Sequence, residues 1–352
     1  MIKKIKPKIY IYKKMKKIFS LIFLILFPII LQDSHIEDPF NRSWSRIFLD
    51  FYRTGADLPK KKLAVACPED PSMLETVSLA HRLDVAEVIM IGDEKEIKYL
   101  AKHYKINIEG IKIINQSDKK LAAYEATKLV HDGECDILMR GVVPISDFMS
   151  AVKDEKIGLN SGRLISYIIM TEIEGIDQLL FLTDGEIVTY PSLEDKVHLI
   201  ENALELAKIF KIKNPKVAAL APIEYVDPTI QSTVDADALK KMNDEGKIKD
   251  CIIEGPISMD MAISLQACYD KSAWTSRVKG DANILLFPDF MASNMSWRLV
   301  KYIKRHLAAM LLFGTTKPVV MTGRGDDVWT KLNSIVMAKY VDDYYHGGIT
   351  RK

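Results

Sequence analysis

From Lys60 onward the chain alternates short apolar runs with longer stretches of helical spacing. Leu63–Ala66, Ala86–Ile91, Ile111–Ile114 and Ile137–Met139 each have the length and composition of a strand. Between them, Pro71–Leu83, Glu94–His103 and Leu121–Asp132 carry helical periodicity; in the first, Leu74, Val77, Leu79, Ala80 and Leu83 fall on or near one face. Gly92-Asp93 ends the second strand and Gly133 stops the third helix. This alternation predicts an α/β fold of parallel βαβ units, with helices on both faces of the sheet.

The middle of the chain changes pattern. Leu164–Ile173 and Leu179–Thr183 are apolar runs joined through Glu174-Gly175, which predicts a hairpin. Leu193–Phe210 reads as a long amphipathic helix and Met295–His306 as another. Lys216–Ala221, Cys251–Glu254 and Ile284–Phe287 read as buried strands, each closed by Pro222, Gly255-Pro256 or Pro288. Strands that stop this way gather loops on one sheet edge, where α/β proteins bind ligands.

The richest stretch is Leu311–Leu332. An apolar strand, Pro318–Met321, runs into the turn Gly323-Arg324-Gly325, and a helix follows from about Val328. Such a turn presents free backbone N–H groups and the positive end of a helix to an anion. Arg324 adds a planar guanidinium suited to phosphate or carboxylate. A structural turn, with Asp326 or Asp327 capping the helix, accounts for the same residues. The Arg-Gly-Asp tripeptide is too short to carry an adhesion reading.

Composition narrows the function classes. The chain has 352 residues and a formal net charge of +2, so two or three domains are expected. No basic stripe with interleaved aromatics follows the lysine-rich first seventeen residues, so nucleic acid is not an expected partner. Cys67, Cys135, Cys251 and Cys268 are widely spaced, without a CxxC pair. They argue against a zinc site or disulfide framework and for a reducing, cytoplasmic setting. No histidine has a partner at metal-ligand spacing, so no metal is expected. Residues 1–40 form an amino-terminal extension outside the expected core. Its lysines precede the apolar run Ile18–Leu31, which has the shape of a signal or anchor. A disordered extension and an upstream misplaced start are the favoured alternatives. Asn41-Arg42-Ser43 matters as a sequon only in a secreted chain.

Several blocks then match one family in order. These are Asp250–Pro256 with its apolar strand and Glu254-Gly255-Pro256 followed by Asp260, Gly280–Asp289 followed by Asn294, and Gly314–Val320 leading into Gly323-Arg324. Glu155–Arg163 and the Leu-Leu-Phe-Leu-Thr-Asp-Gly run ending at Gly185 also fit. Over roughly residues 60–340 the chain resembles the phosphate acetyl/butyryltransferases, phosphate butyryltransferase more than phosphate acetyltransferase. The resemblance implies an acyltransferase of the EC 2.3.1 class. Butanoyl-CoA and phosphate would give butanoyl phosphate and CoA, with no tightly bound cofactor and coenzyme A as substrate and product. It implies a two-domain α/β/α fold like isocitrate and isopropylmalate dehydrogenases, with the cleft between domains. Residues 60–160 plus 312–345 would form a discontinuous first domain and 161–311 the second, in a homo-oligomer of two or more copies.

Arg324 would hold phosphate, which attacks the thioester directly, and Asp326 stands where butyryltransferase-like members carry an aspartate. Thr322, Gly323, Gly325, Lys317, Arg140, Gly141, Ser146, Asp289 and Asn294 are the expected substrate-binding residues. Lys317 as a solvated strand end, Asp289 and Asn294 as helix caps, and Arg140 paired with a carboxylate are the plain alternatives. The methionines between 291 and 310 read as core. The chain departs from the family pattern at Gly323, where the family has Ser, and at Pro144, Ser150 and Thr330, where His, Arg and, in acetyltransferases, Asp are expected. Arg140, Lys153 or Arg163 would have to replace the second arginine. These departures leave open a non-catalytic relative that binds CoA or acyl phosphate. An oxidoreductase of the same fold would need metal-binding aspartates and a nucleotide site, and the sequence shows no such constellation.

Overall fold

The structure, a computed structural model, describes residues 47–348. The expectations for the amino-terminal extension, for Ile18–Leu31 and for the sequon lie outside the described residues. The chain divides into two compact units, residues 1–59 and 60–352. In the first, helix α1 spans Ile47–Asp57, with Phe48 and Phe51 edge to face at 5.4 Å.

The second unit is built on one 11-stranded sheet. Its first part alternates β1 (Lys61–Ala66), α2 (Pro71–Arg82), β2 (Ala86–Gly92), α3 (Glu94–His103), β3 (Lys112–Asn115), α4 (Lys119–His131) and β4 (Ile137–Arg140). Local chemistry sets the helix starts. The carboxylates of Asp70, Asp93 and Asp118 each accept a backbone N–H of the first turn, and Pro71 fits the first helical position. A short helix, α5 (Ile145–Val152), follows β4 across a stretch to which the sequence pattern assigns no element. Its apolar Ile145, Phe148, Met149 and Val152 fall at helical spacing, but Pro144 and Ser146 at its start mask the pattern.

The expected hairpin forms as β5 (Ser166–Ile173) and β6 (Leu180–Thr183), paired antiparallel. Then come α6 (Leu193–Ile209), β7 (Lys216–Leu220), α7 (Gln231–Asp244), β8 (Ile252–Ile257), α8 (Met259–Ile263), α9 (Leu265–Asp270) and β9 (Ile284–Leu286). A capping box of Ser192 and Asp195 opens α6. The chain ends with α10 (Phe290–Ile303), β10 (His306–Phe313), β11 (Val319–Met321) and α11 (Val328–Tyr345). The helix expected to run to His306 stops at Ile303, and the apolar run beyond it is a strand. A strand buried on both faces shows no alternation, so periodicity does not separate it from the preceding helix.

The strand order is β3-β2-β1-β4-β11-β10-β5-β6-β9-β7-β8. β3, β2, β1, β4 and β11 run parallel to one another, and so do β6, β9, β7 and β8. Between these two groups β10 is antiparallel to both neighbours, β11 and β5. β11 lies beside β4 although most of the sheet's other strands come between them in the chain; Val319 pairs with Leu138 and Met321 with Arg140. α11 packs against β10, α2 and α6. It is interior on nearly all sides, so its polar groups find internal partners. Asn333 donates to the Ala308 carbonyl at 3.0 Å and Ser334 accepts from the Met310 amide at 2.9 Å. Among the described residues no helix is long and apolar enough to cross a membrane.

Candidate active site

The pairing of Met321 with Arg140 brings two strand ends together. Beside them is a pocket of about 620 Å³, a size typical of small-molecule sites. Its apolar wall is Tyr167 and Ile169 of β5, Met310 of β10 and Trp297 of α10. Its polar wall is Arg140, Ser146, Glu186, Arg298, Lys301 and the turn Gly323–Asp326.

The turn is held from three sides. The Gly323 amide donates to Asp326 Oδ2 at 2.6 Å, and Lys301 Nζ donates to Asp326 Oδ1 at 2.6 Å and to the Gly325 carbonyl at 2.5 Å. From below, Lys331 Nζ donates to the Asp326 carbonyl at 2.9 Å and to Ser72 Oγ. Burial pushes the Lys331 ammonium down. Asp327, not Asp326, caps α11, accepting the Thr330 amide at 2.6 Å. Arg324 projects from this braced turn. Among the described residues no hydrogen bond or ion pair engages its guanidinium, and it lines the pocket.

Arg140 is 5% exposed. Its Nε donates to the Val143 carbonyl at 2.8 Å and a terminal nitrogen donates to the Thr322 carbonyl at 3.2 Å. It thereby ties the loop after β4 to the turn after β11, through carbonyls rather than a carboxylate. Burial lowers its pKa, the nearby Glu186 raises it and Arg324 lowers it. Of the other expected residues, Ser146, Asn294, Gly323, Gly325 and Asp326 line the pocket. Thr322 supplies a backbone contact just behind the turn, and its hydroxyl is buried without a partner among the described residues.

Gly141, Asp289 and Lys317 do not line it. The Gly141 amide donates to the Ala66 carbonyl at 2.8 Å, and a Cβ there would meet the Cys67 carbonyl oxygen at 2.0 Å, so the residue serves strand packing. Asp289 caps α10 through the Ala292 amide at 2.9 Å. Lys317 precedes β11, so the strand's length separates it from the turn. Asn294 accepts Arg298 Nε at 2.6 Å. Of the expected substitutes for the second arginine, only Arg140 reaches the pocket. Arg163 instead meets Glu205 at 2.7 Å, and Lys153 is the cap residue of α5. Arg298 and Lys301 escape the sequence reading, because on one sequence they look like the solvated face of an amphipathic helix. Met291 and Met295, expected as core, are exposed, and Met310 is buried.

Glu186 escapes it too. It follows Gly185 on the loop after β6, which Asp184 organises. Asp184 accepts the Tyr167 amide at 2.8 Å and the Glu186 and Ile187 amides at 2.7 Å each. Burial pushes the Glu186 carboxyl up, against the pull of Arg140; Asp326 adds to the rise and Arg298 opposes it. Cys67 and Cys135 do not compete as nucleophiles, for burial pushes the first up to about 12 and the second to about 11. Among the described residues no group of three or more His, Cys, Asp or Glu is placed to hold a metal ion.

An unpaired arginine, further cations and an apolar wall suit an anion carrying or meeting a small apolar group. Comparison with known proteins agrees with this chemistry. Residues 116–339 match the model of the phosphate acetyl/butaryl transferase family. The chain is 40% identical over 285 residues to phosphate butyryltransferase of Clostridium beijerinckii, covering 81% of this chain and 94% of that protein. Its fold matches a branched-chain phosphotransacylase from Enterococcus faecalis with a TM-score of 0.69 at 23% identity, over 80% of this chain and 99% of that one. It also matches 4-hydroxythreonine-4-phosphate dehydrogenase of Klebsiella pneumoniae with a TM-score of 0.51 at 10% identity, over 81% of this chain and 100% of that one. The dehydrogenase-like α/β architecture is therefore shared, and the chain belongs to the phosphate acetyl/butaryl transferase family.

Proposed function

We propose that the chain is a phosphate acyltransferase. It moves a short acyl group, butanoyl before acetyl, from coenzyme A to inorganic phosphate. The observation that carries this reading is the Arg324 guanidinium, unengaged among the described residues and set in a pocket with Arg140 and Arg298. Phosphate bound there is positioned and partly neutralised, so that one of its oxygens attacks the thioester carbonyl without an enzyme-bound intermediate. Tyr167, Ile169, Met310 and Trp297 offer the acyl chain an apolar surface beside the cations. The butanoyl preference is supported by the name of the Clostridium beijerinckii relative.

Phosphate is itself the nucleophile, so the reaction as proposed calls for no metal. The pairing of β11 with β4 supports residues 60–160 and 312–345 as one discontinuous domain. The four free cysteines support a cytoplasmic enzyme. The apolar face of α10 that Met291, Met295, Leu299 and Tyr302 leave exposed supports a homo-oligomer, which sedimentation at two concentrations tests. The central experiment is thiol release from butanoyl-CoA with and without phosphate, on protein dialysed against EDTA. Phosphate-dependent release is expected. Arg324→Lys should raise the KM for phosphate roughly tenfold, since the forked contact is lost and a charge-assisted bond is worth about 1.5–3 kcal/mol. Arg324→Ala should abolish release while the fold persists. CoA binding without any phosphate-dependent release would replace this reading with that of a non-catalytic relative.

A further inference from the structure

We propose that the Glu186 carboxylate is the proton carrier of this pocket, taking the proton of the attacking phosphate and returning it to the departing sulfur. The inference rests on the acyltransferase reading. The bond changes leave one proton to be moved, and a side chain in the pocket can carry it. Hydrogen phosphate forms a C–O bond to the thioester carbon, the C–S bond breaks with its electron pair on sulfur, and the phosphate proton must finish on that sulfur. One carboxylate that first accepts and then donates completes this balance without a co-reactant.

Three carboxylates stand near enough to be considered, and two are spent. Asp326 uses both oxygens, on the Gly323 amide and on Lys301. Asp184 uses both on the amides of residues 167, 186 and 187, beneath the loop. Glu186 alone lines the pocket with a carboxylate that no hydrogen bond or ion pair engages among the described residues. Its own amide is fixed to Asp184 Oδ1 at 2.7 Å, which anchors the backbone from which the side chain extends.

The surroundings suit a group that must hold a proton briefly. Arg140 on β4 and Arg298 on α10 favour the ionised form, and Lys301 and Arg324 line the same pocket. Burial and the charge of Asp326 work the other way, with Tyr167 and Asp184 close by, and the net effect lifts the carboxyl above the ordinary glutamate range. A raised glutamate is a better acid–base match for phosphate and thiol near neutral pH than an ordinary one.

The test compares wild type, Glu186→Gln and Glu186→Asp in steady-state thiol release from butanoyl-CoA, with phosphate varied up to saturation at each pH. Glu186→Gln should lower kcat by roughly a hundredfold or more, leave the phosphate KM within about threefold, and remove the acidic limb that titrates with Glu186. Glu186→Asp should keep that limb at an intermediate rate. Wild-type kcat in Glu186→Gln overturns the proposal, as does a raised KM with unchanged kcat or an Asp variant without the limb. Loss of release in Arg324→Ala alongside an unimpaired Glu186→Gln sinks this proposal alone. A wild type without phosphate-dependent release sinks both.

Discussion

A methyl group on Gly141 would sit 2.0 Å from the Cys67 carbonyl oxygen and 2.7 Å from that of Ala66. Both oxygens lie at the end of β1 and are already fixed by the amides of Val142 and Gly141 at 2.8 Å each. The backbone cannot yield there without parting β1 from β4. Gly141→Ala should therefore destabilise the protein by about 3 kcal/mol, read as a lower urea midpoint with an unchanged m value. Arg324 gives the opposite lesson at the same scale. Its bracketing glycines announce a turn, and the structure sets that turn in the pocket wall, so its place is legible from sequence, while anion binding there is the proposed role. Glu186, Arg298 and Lys301 are not, because nothing local distinguishes a charge aimed into a pocket from one aimed at water. Only the packing of α10 and the loop after β6 over β5 and β10 decides it.

Among the elements, those with a helical period or an apolar run marked off by turn residues are legible: β1 to β4 and their helices, the β5–β6 hairpin and α6. β10 is hidden because no glycine or proline separates its apolar run from α10, and α7 because its polar residues interrupt the helical period. Part of that interruption is structural. Lys196 of α6 and Asp235 of α7 form an ion pair at 2.5 Å with side chains only 6% and 10% exposed, and Gln231 donates to the other Asp235 oxygen at 2.8 Å. Asp235→Ala leaves the ammonium buried without its counter-charge and should cost about 3–5 kcal/mol. Replacing both, as Lys196→Met with Asp235→Leu, should recover most of that loss. A double-mutant cycle on urea unfolding measures it, and additive single effects would contradict the account.

For the whole molecule, the buried lysine of α11 sets a pH dependence of stability. Burial pushes Lys339 down from 10.5 to about 8, with Asp84 pulling upward and Lys61 and Lys60 reinforcing the fall. Below about pH 8 the ammonium is present folded and unfolded, and its burial cost is carried in full. Between about 8 and 10.5 the unfolded chain keeps the proton that the folded chain has lost, so this group makes stability rise with pH. Above that range its contribution is level. In wild type the unfolding free energy should rise with pH through this window, and in Lys339→Met that rise should flatten. Urea unfolding of both proteins across the range checks the sign.

The place of β11 in the sheet has a bearing on how the molecule is made. Its three residues fill the gap between β4 and β10, yet they reach β4 only after the whole intervening chain. A nascent polypeptide can assemble β1 to β4 early, but β4 then faces solvent as an open edge until synthesis passes Met321. Unpaired edges invite pairing with other chains, so this interval is when the unfinished protein most needs a chaperone. The same late event carries Arg324 into position. Maturation of the fold and completion of the pocket are thus one step, and under the proposed role of Arg324 no partly made chain can carry out the reaction ahead of its completion.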